Sequence, residues 1–586
     1  MTDAGTEYLV VVETQKIKSF LFASPFLRET RGASILLDRL NRMGSKDLFE
    51  RFKGKKELIY LGGGSGRLLF SDKNEAGQFR TDLRQCYHRE TASAQVAVAV
   101  MERDSENGNR ETIADWISRG VAEARKNKLA RVEGVPLLAG RWVKPCSSCG
   151  QGTAEAMWTE FGEHYLCRSC NAKRQEVNHL YRSIKPGEHE SRVLKPSLEL
   201  IKRYGEDFIF TTLAQYVERH FRLQLPQDFD DIGRISRPPN YLGFIYADGN
   251  GMGEVVKRIG KEFPFDKDAI KTYRAFSKIT DQATREAAVE AVLECVPLTV
   301  KKQAGNKSIR SLPAEFFMAG GDDLMLVVPA HTAMDVAVRF IETYQKKTKA
   351  FQDKYHEEGK LPKPFAEEGL TTSAGVVIAH AHFPAHDLMR LAGELMKMAK
   401  AKAAKLLDEA KVPKVSDENK RKHVKRDPVG TLDFWVLHEA GTEPLKERRK
   451  KEYHPDWTGV RPTILTERPY TVEKALWLLD TIRDLKKSGA PRSKLKALYG
   501  SLFQNPLQAR FDALRLQERL FATGDLTEGK PLFELASELN GFPFREEGGK
   551  CTTPMTEIIE LYDFVHEQQE TATSPEEFPR REAACD

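Results

Sequence analysis

Three aspartates carry the chemistry this sequence offers first. Asp322 and Asp323 are adjacent in FFMAGGDDLMLVV (316–328), and Asp248 lies in YLGFIYADGNGMGEVVKRIG (241–260). Neighbouring carboxylates repel one another and favour a cation between or beside them. The apolar flanks Phe316 to Met318 and Leu324 to Val328 read as two buried strands. The Gly320-Gly321-Asp322-Asp323 segment between them reads as the turn of a β-hairpin. Its glycines supply positive φ and let another group approach the backbone. An isolated Gly-Gly-Asp-Asp reads equally well as a plain acidic turn, so a further carboxylate has to decide.

Asp248 is that carboxylate. Leu242 to Tyr246 read as a strand, and Met252, Val255, Val256 and Ile259 have helical spacing. Asp248 therefore stands at a strand end, where a glycine-rich turn leads into a helix. That turn, Gly249, Asn250, Gly251 and Gly253, resembles a phosphate cradle, with free amides at a helix N-terminus and few obstructing side chains. It departs from the dinucleotide fingerprint and from the P-loop, because no Gly-Lys-Ser/Thr follows.

These elements must be positioned by a common fold. Strand, helix and acidic hairpin are followed by the strand LTTSAGVVIAH (370–380) and a helix whose Leu388, Leu391, Leu395 and Met398 share one face. The order is βαββαβ, a ferredoxin-like palm, in which the first strand and the hairpin are neighbours. Asp248 is then expected to meet Asp322 and Asp323 at one sheet edge, as ligands of two divalent ions, Mg²⁺ or Mn²⁺. Two ions about 3.5–4 Å apart would activate a ribose 3′-hydroxyl and neutralise departing pyrophosphate. The implied chemistry is nucleotidyl transfer. Lys397 and Lys400 are within reach of the phosphates or, alternatively, lie on a solvated helix face, and Ser373 is expected to face the base.

The N-terminal third repeats this pattern without its acids. YLVVVETQKIKSFLF (8–22) is strand then helix, and LIYLGGGSGRLLF (58–70) aligns Gly62-Gly63-Gly64-Ser65 with the acidic turn. SAQVAVAVM (93–101) and the helix around 121–128 complete the parallel. Gly64 and Ser65 cannot anchor two cations, so this first palm is expected to be degenerate. Cys146-x-x-Cys149, seventeen residues, and Cys167-x-x-Cys170 match a Cys₄ zinc ribbon with a closed, structural Zn²⁺.

Across 586 residues the chain is 40% hydrophobic and 30% charged, so several domains are expected. No run of 18 apolar residues and no leader pattern occurs, which predicts no membrane span and a cytoplasmic protein. The net charge of +6 is modest. Lys- and Arg-rich runs at 397–426 and 446–451 read either as solvated faces or as contacts to RNA phosphates.

Taken together, these motifs resemble the large polymerase/cyclase subunit of type III CRISPR effector complexes. The resemblance rests on KIKSFLFASPFLRETRGASILL, the degenerate hairpin, the VKPCSSCGQGTAE…YLCRSCNAKR ribbon, DGNGMGE, the Gly-Gly-Asp-Asp hairpin, SAGVVIAHAHFP and RPYTVEKALWLLDTIRDLK. It implies that ATP is joined through 3′–5′ linkages into cyclic oligoadenylate. It also implies partner effector subunits, and a switch thrown when target RNA pairs with the guide RNA. It assigns metal binding to Asp248, Asp322 and Asp323, and zinc to the four cysteines. Many members begin with an HD-type phosphohydrolase domain that cuts single-stranded DNA. This chain starts directly with the first palm, and its one His-Asp pair, His386-Asp387, lies in the helix after SAGVVIAHAHFP. No such nuclease is expected.

The expected fold class is α+β: a degenerate palm at 1–140, a zinc ribbon at 141–175 and a helical connector at 176–236. The catalytic palm follows at 237–440, then a helical C-terminal domain at 441–566 and a disordered tail at 567–586. Competing readings are synthesis of a different ATP-derived signal in the same complex, a free-standing nucleotidyl cyclase, and a non-catalytic RNA-binding scaffold.

Overall fold

The computed structural model describes residues 7–106, 109–129, 143–159, 163–182, 225–263, 266–302, 308–411, 429–439, 443–457, 461–522, 534–539, 541–547 and 549–567. Most of the expected connector, the end of the first basic run and nearly all of the expected C-terminal tail lie outside these residues. No helix among the described residues is long and apolar enough to cross a membrane.

Apolar runs that fill both faces of a strand demand cover on both sides. In YLVVVETQ (Tyr8–Gln15) the residues Leu9 to Val12 are all buried. Leu9 and Val11 meet Gly120 of the helix Ile113–Leu129, and by alternation Val10 and Val12 point to the other face. Four antiparallel strands lie in the order Lys56–Gly62, Ser65–Phe70, Tyr8–Gln15, Gln95–Glu102. Helices follow the first and third strands in sequence, so the topology is βαββαβ. The helix Lys73–Thr91 starts where the Asp72 side chain accepts from Glu75 N–H at 2.8 Å.

The same order returns downstream. Glu315–Gly320, Asp323–Pro329, Tyr241–Gly249 and Thr372–His380 are antiparallel neighbours. Thr431–Val436 then adds in parallel, and the short strand Tyr470–Thr471 closes that edge. The two hairpins match residue for residue. Each carries a bulge three residues before the pair that closes its turn, at Ile59 before Gly62↔Ser65 and at Phe317 before Gly320↔Asp323. The acidic turn is therefore only Gly321 and Asp322. Ladder pairing extends to Gly320 and resumes at Asp323, so the four-residue turn read from sequence is shorter, with Asp322 at the tip and Asp323 on the strand. Gly321 has φ +62°.

The remaining described chain contains a small two-stranded ribbon, Ala156–Trp158 with His164–Leu166, beside the cysteines. Towards the C-terminus the helices Val472–Lys487, Arg492–Gln504, Pro506–Ala522 and Met555–Leu561 accompany a three-stranded sheet.

One helix, Leu27–Arg39, ties three of these parts together. Its Gly32 lies so close to the ribbon helix Arg168–Arg182 that a Cβ would fall 1.9 Å from the Lys173 carbonyl oxygen. Its Ser34 hydroxyl donates to the carbonyl of Phe317 at 2.5 Å. Its Arg31 forks onto Glu315 of the acidic hairpin, with Nε at 3.1 and 3.2 Å from the two carboxylate oxygens, and donates to Pro226 O at 2.6 Å. Both side chains are buried, at 4% and 0% exposure, so neither charge has water to fall back on.

Removing one partner of such a pair strands the other charge. Arg31→Met is expected to cost about 3–5 kcal/mol in denaturant unfolding, with most of the loss recovered by Arg31→Met combined with Glu315→Leu. A loss under about 1 kcal/mol for the single variant, the range of an exposed pair, would contradict this.

Candidate active site between two palms

Strand register brings the three aspartates together. Ala247 pairs with Leu324, so the next positions, Asp248 and Asp323, are neighbours across the same ladder. Asp322 at the hairpin tip leans over Gly249, where a Cβ would sit 2.9 Å from its Oδ2 and 2.2 Å from Met252 Cε. Only glycine allows that approach. Asp322 and Asp248 are within hydrogen-bonding reach of each other.

The electrostatics follow from this crowding. Burial and then the Asp248 charge push Asp322 up to about 7. Asp323 is raised well above the carboxylate range by burial and by both neighbours, against the pull of Lys18 and Lys400. Lys400 Nζ lies 2.5 Å from Asp248 Oδ2. The helix Ala385–Lys411 lies so close over Gly375 that a Cβ there would be 2.2 Å from Ala392 O. Two helical turns beyond that contact comes Lys400. Lys397 is exposed; burial lowers Lys18, the Lys397 charge adds to that, and the Asp323 and Asp248 charges oppose it.

Lys18 and Tyr246 complete the corner, and sequence reasoning missed both. Lys18 belongs to the first palm, yet its ammonium lies 3.9 Å from the centre of the Tyr246 ring. The Tyr246 hydroxyl donates to Asp323 Oδ1 at 3.4 Å, and burial followed by the Asp323 charge raises the phenol strongly. The one sequence signal for Lys18 was its place in KIKSFLF, just after the first strand.

Several expected nucleotide contacts are otherwise engaged. Ser373 is fully buried and bonds Asn250 Oδ1 and Thr431 Oγ1, each at 2.7 Å, so it braces the turn and does not face a base. Asn250 donates its backbone N–H to Thr371 O and its amide to Thr371 Oγ1, which turns it away from a phosphate. Gly321 donates its N–H to Asp281 Oδ1 at 3.0 Å, and its carbonyl accepts from Thr284 Oγ1 at 2.7 Å. Gly251, with φ +65°, caps the helix Met252–Glu262, and Gly253 lies in its first turn, where amides have no carbonyl four residues back.

A cleft of about 1060 Å³ opens between the palms. Gly320, Gly321, Asp322, Asp323, Met252 and Gly253 line it from one side, and Tyr60, Gly62, Gly63 and Ser65 from the other. Arg125, Lys257, Arg274 and Lys278 add positive charge to its walls. Across the cleft the first palm keeps a relic of the acidic corner. Glu13 pairs with Ser65 as Asp248 neighbours Asp323, but Arg67 donates to Glu13 at 2.7 Å and to Ser65 Oγ at 3.1 Å. A guanidinium stands where a cation would be needed.

Among the described residues, the four cysteines are the only group of three or more His, Cys, Asp or Glu whose ligand atoms all lie within 4.8 Å of one another. Cys146 N–H donates to Gly152 O at 2.8 Å, and Gly150 N–H to Cys146 O at 2.9 Å, which folds the first knuckle. Cys149 Sγ is 3.7 Å from Cys167 Sγ. Hydrogen bonds from Cys167 and Cys170 hold the Cys149 thiol low, while they themselves are driven up. The donor set and its closure fit one tetrahedral Zn²⁺.

Residues 241–406 match the family model described as Cas10/Cmr2, second palm domain. The CRISPR system Cmr subunit Cmr2 of Pyrococcus furiosus is 26% identical over 170 residues, which is 28% of this chain and 17% of that protein. The chain thus spans about a sixth of the length of this relative. Among solved structures, Csm1 of T. onnurineus covers 96% of this chain and 69% of its own at 13% identity with TM-score 0.50, a likeness of fold. A Csm1–Csm4 cassette in complex with cA3 has TM-score 0.49 at 14% identity, over 96% of this chain and 70% of that one.

Without added divalent ions, Asp322 takes up its proton at about 7 when folded, against 3.8 for an ordinary Asp. The folded chain then holds more protons than the unfolded one between those values, so stability falls as pH rises through that window. Asp322→Asn is expected to melt above the unsubstituted protein at about pH 8, with the gap closing towards about pH 4. A gap that does not vary with pH in scanning calorimetry would contradict this.

Proposed function

We propose, from the premise that residues 241–406 are a Cas10/Cmr2 second palm domain, that this chain is the nucleotide-polymerising subunit of a type III CRISPR effector complex. In this reading it joins ATP through 3′–5′ linkages into cyclic oligoadenylate when the guide RNA of the complex pairs with target RNA. The observation that carries the reading is the meeting of Asp248 with Asp322 and Asp323, the latter two of which line the inter-palm cleft.

Asp248, Asp322 and Asp323 would hold divalent ions, Mg²⁺ or Mn²⁺. The raised affinity of Asp322 and Asp323 for protons marks a site that a cation would stabilise. Such ions supply a polarised 3′-hydroxyl and charge neutralisation on the leaving pyrophosphate. The chain's own residues have simpler tasks. Lys400 and Lys18 balance the carboxylates and would be available as positive partners for phosphate oxygens. The Gly251–Gly253 turn offers helix N-terminal amides to a triphosphate. The cleft volume admits more than one nucleotide-sized ligand, which a joining reaction requires. The four cysteines would bind Zn²⁺ in a closed, structural site.

The test is incubation of the full chain with labelled ATP and Mn²⁺, with and without guide RNA, partner effector subunits and target RNA. Cyclic oligoadenylate that appears only with target supports the proposal. Asp322→Ala with Asp323→Ala is expected to lower the rate by about a hundredfold or more while assembly persists. Product without any target would favour a free-standing cyclase, a different product another ATP-derived signal, and none at all a scaffold.

A further inference from the structure

The glycine hairpin of the first palm presents no carboxylate at its tip, yet it is built against the acidic one. Gly63 has φ +57°, and a Cβ there would lie 3.2 Å from Gly321 N and 3.3 Å from the Gly320 carbonyl. Arg42 passes between the two hairpins. Its Nη atoms would be 3.3–3.4 Å from a Cβ placed on Gly62 or on Gly320, so bare backbone at both positions gives the guanidinium room.

What Arg42 holds is the support of the hairpin tip. Its Nη2 and Nη1 donate to the two oxygens of Asp281 at 2.7 and 3.2 Å, and its Nε to Asp38 at 2.8 Å. Asp281 lies on the helix Asp266–Cys295 of the second palm. It accepts the N–H of Gly321, while Thr284 from the next turn donates to the carbonyl of the same residue. Arg285 faces Asp281 at 3.4 Å and Asp38 at 3.6 Å, so two guanidiniums and two carboxylates close a balanced cluster. Burial alone would raise Asp281, but Arg285 and Arg42 hold it well below the carboxylate range.

The geometry points to a positioning role. We propose that the degenerate hairpin and Arg42 clamp the Gly320–Gly321 peptide through Asp281, and that docking of the first palm thereby sets where Asp322 and Asp323 stand. A two-residue turn has few bonds to fix its tip, and Gly321 is the most rotatable of them. Holding its N–H and its C=O from one helix removes that freedom. The part of the inference that concerns ion affinity rests on the reading of the acidic trio as an ion-holding site, and the clamp itself does not.

Hydrogen exchange of the 316–328 segment, measured in the full chain without added divalent ions, tests the clamp independently of function. Asp281→Asn and Arg42→Ala are expected to speed exchange at the tip by about tenfold and to raise the Mn²⁺ dissociation constant by a similar factor. Arg42→Lys, which keeps the charge but not the fork, recovers only part of either loss. Arg39→Ala, which breaks an ion pair with Glu176 away from the hairpin, leaves both unchanged. Because Arg42→Ala also strands a buried charge, Gly63→Ala reads the same contact from the opposite palm and is expected to act alike. Unchanged tip exchange in the folded variants overturns the proposal, as does faster exchange with Mn²⁺ affinity intact. If the unsubstituted chain binds no Mn²⁺ at Asp322, the proposed function fails instead, and the exchange data still decide the clamp.

Discussion

Three carboxylates crowded into one half-buried corner repel one another, and the structure around them is an answer to that repulsion. Asp248 and Asp323 come from two strands whose register makes them neighbours, and Asp322 joins them from the adjoining hairpin tip. Their burial and then their mutual charge raise Asp322 and Asp323 together. Cations are drawn in from separate elements: Lys400 from the helix after the fourth strand, and Lys18 from the other palm. The charge balance of the second palm is therefore completed across the interface, and residues of both palms line the cleft.

The first palm resolves the same constraint in the opposite way. At the positions of Asp248 and Asp323 it has Glu13 and Ser65, and the one carboxylate is satisfied internally by Arg67. The bulges at Ile59 and Phe317 and the matching turn pairs indicate that the two hairpins share one backbone design. Matching frames with different charges leave one palm self-neutralised and the other dependent on cations brought in from separate elements. The triple glycine of the first hairpin then has a physical use, because bare backbone is what lets the two tips and Arg42 pack together.

Much of this architecture is legible in the sequence because it is local or periodic. Alternating and continuous apolar runs located the strands, the repeated Gly-Gly pattern revealed the second copy of the palm, and the cysteine spacing matched a closed cluster. The meeting of Asp248 with the hairpin followed from βαββαβ order alone. What was not legible depends on partners distant in the chain. Ser373 and Asn250 look like ligand contacts until their bonds to Thr431 and Thr371 are seen. Arg42 and Asp281 are 239 residues apart, and no local pattern couples them. The turn length was misjudged because ladder pairing, not composition, decides that Asp323 belongs to the strand.

The central claim is that the acidic corner exists to hold cations beside the inter-palm cleft. Anomalous diffraction from crystals of the full chain soaked with Mn²⁺ and a non-hydrolysable ATP analogue tests it most directly. The account requires peaks bounded by Asp248, Asp322 and Asp323, with Lys400 displaced from Asp248 towards phosphate oxygens. A map with no peak in that corner, Lys400 still paired with Asp248 and the nucleotide bound elsewhere would contradict it.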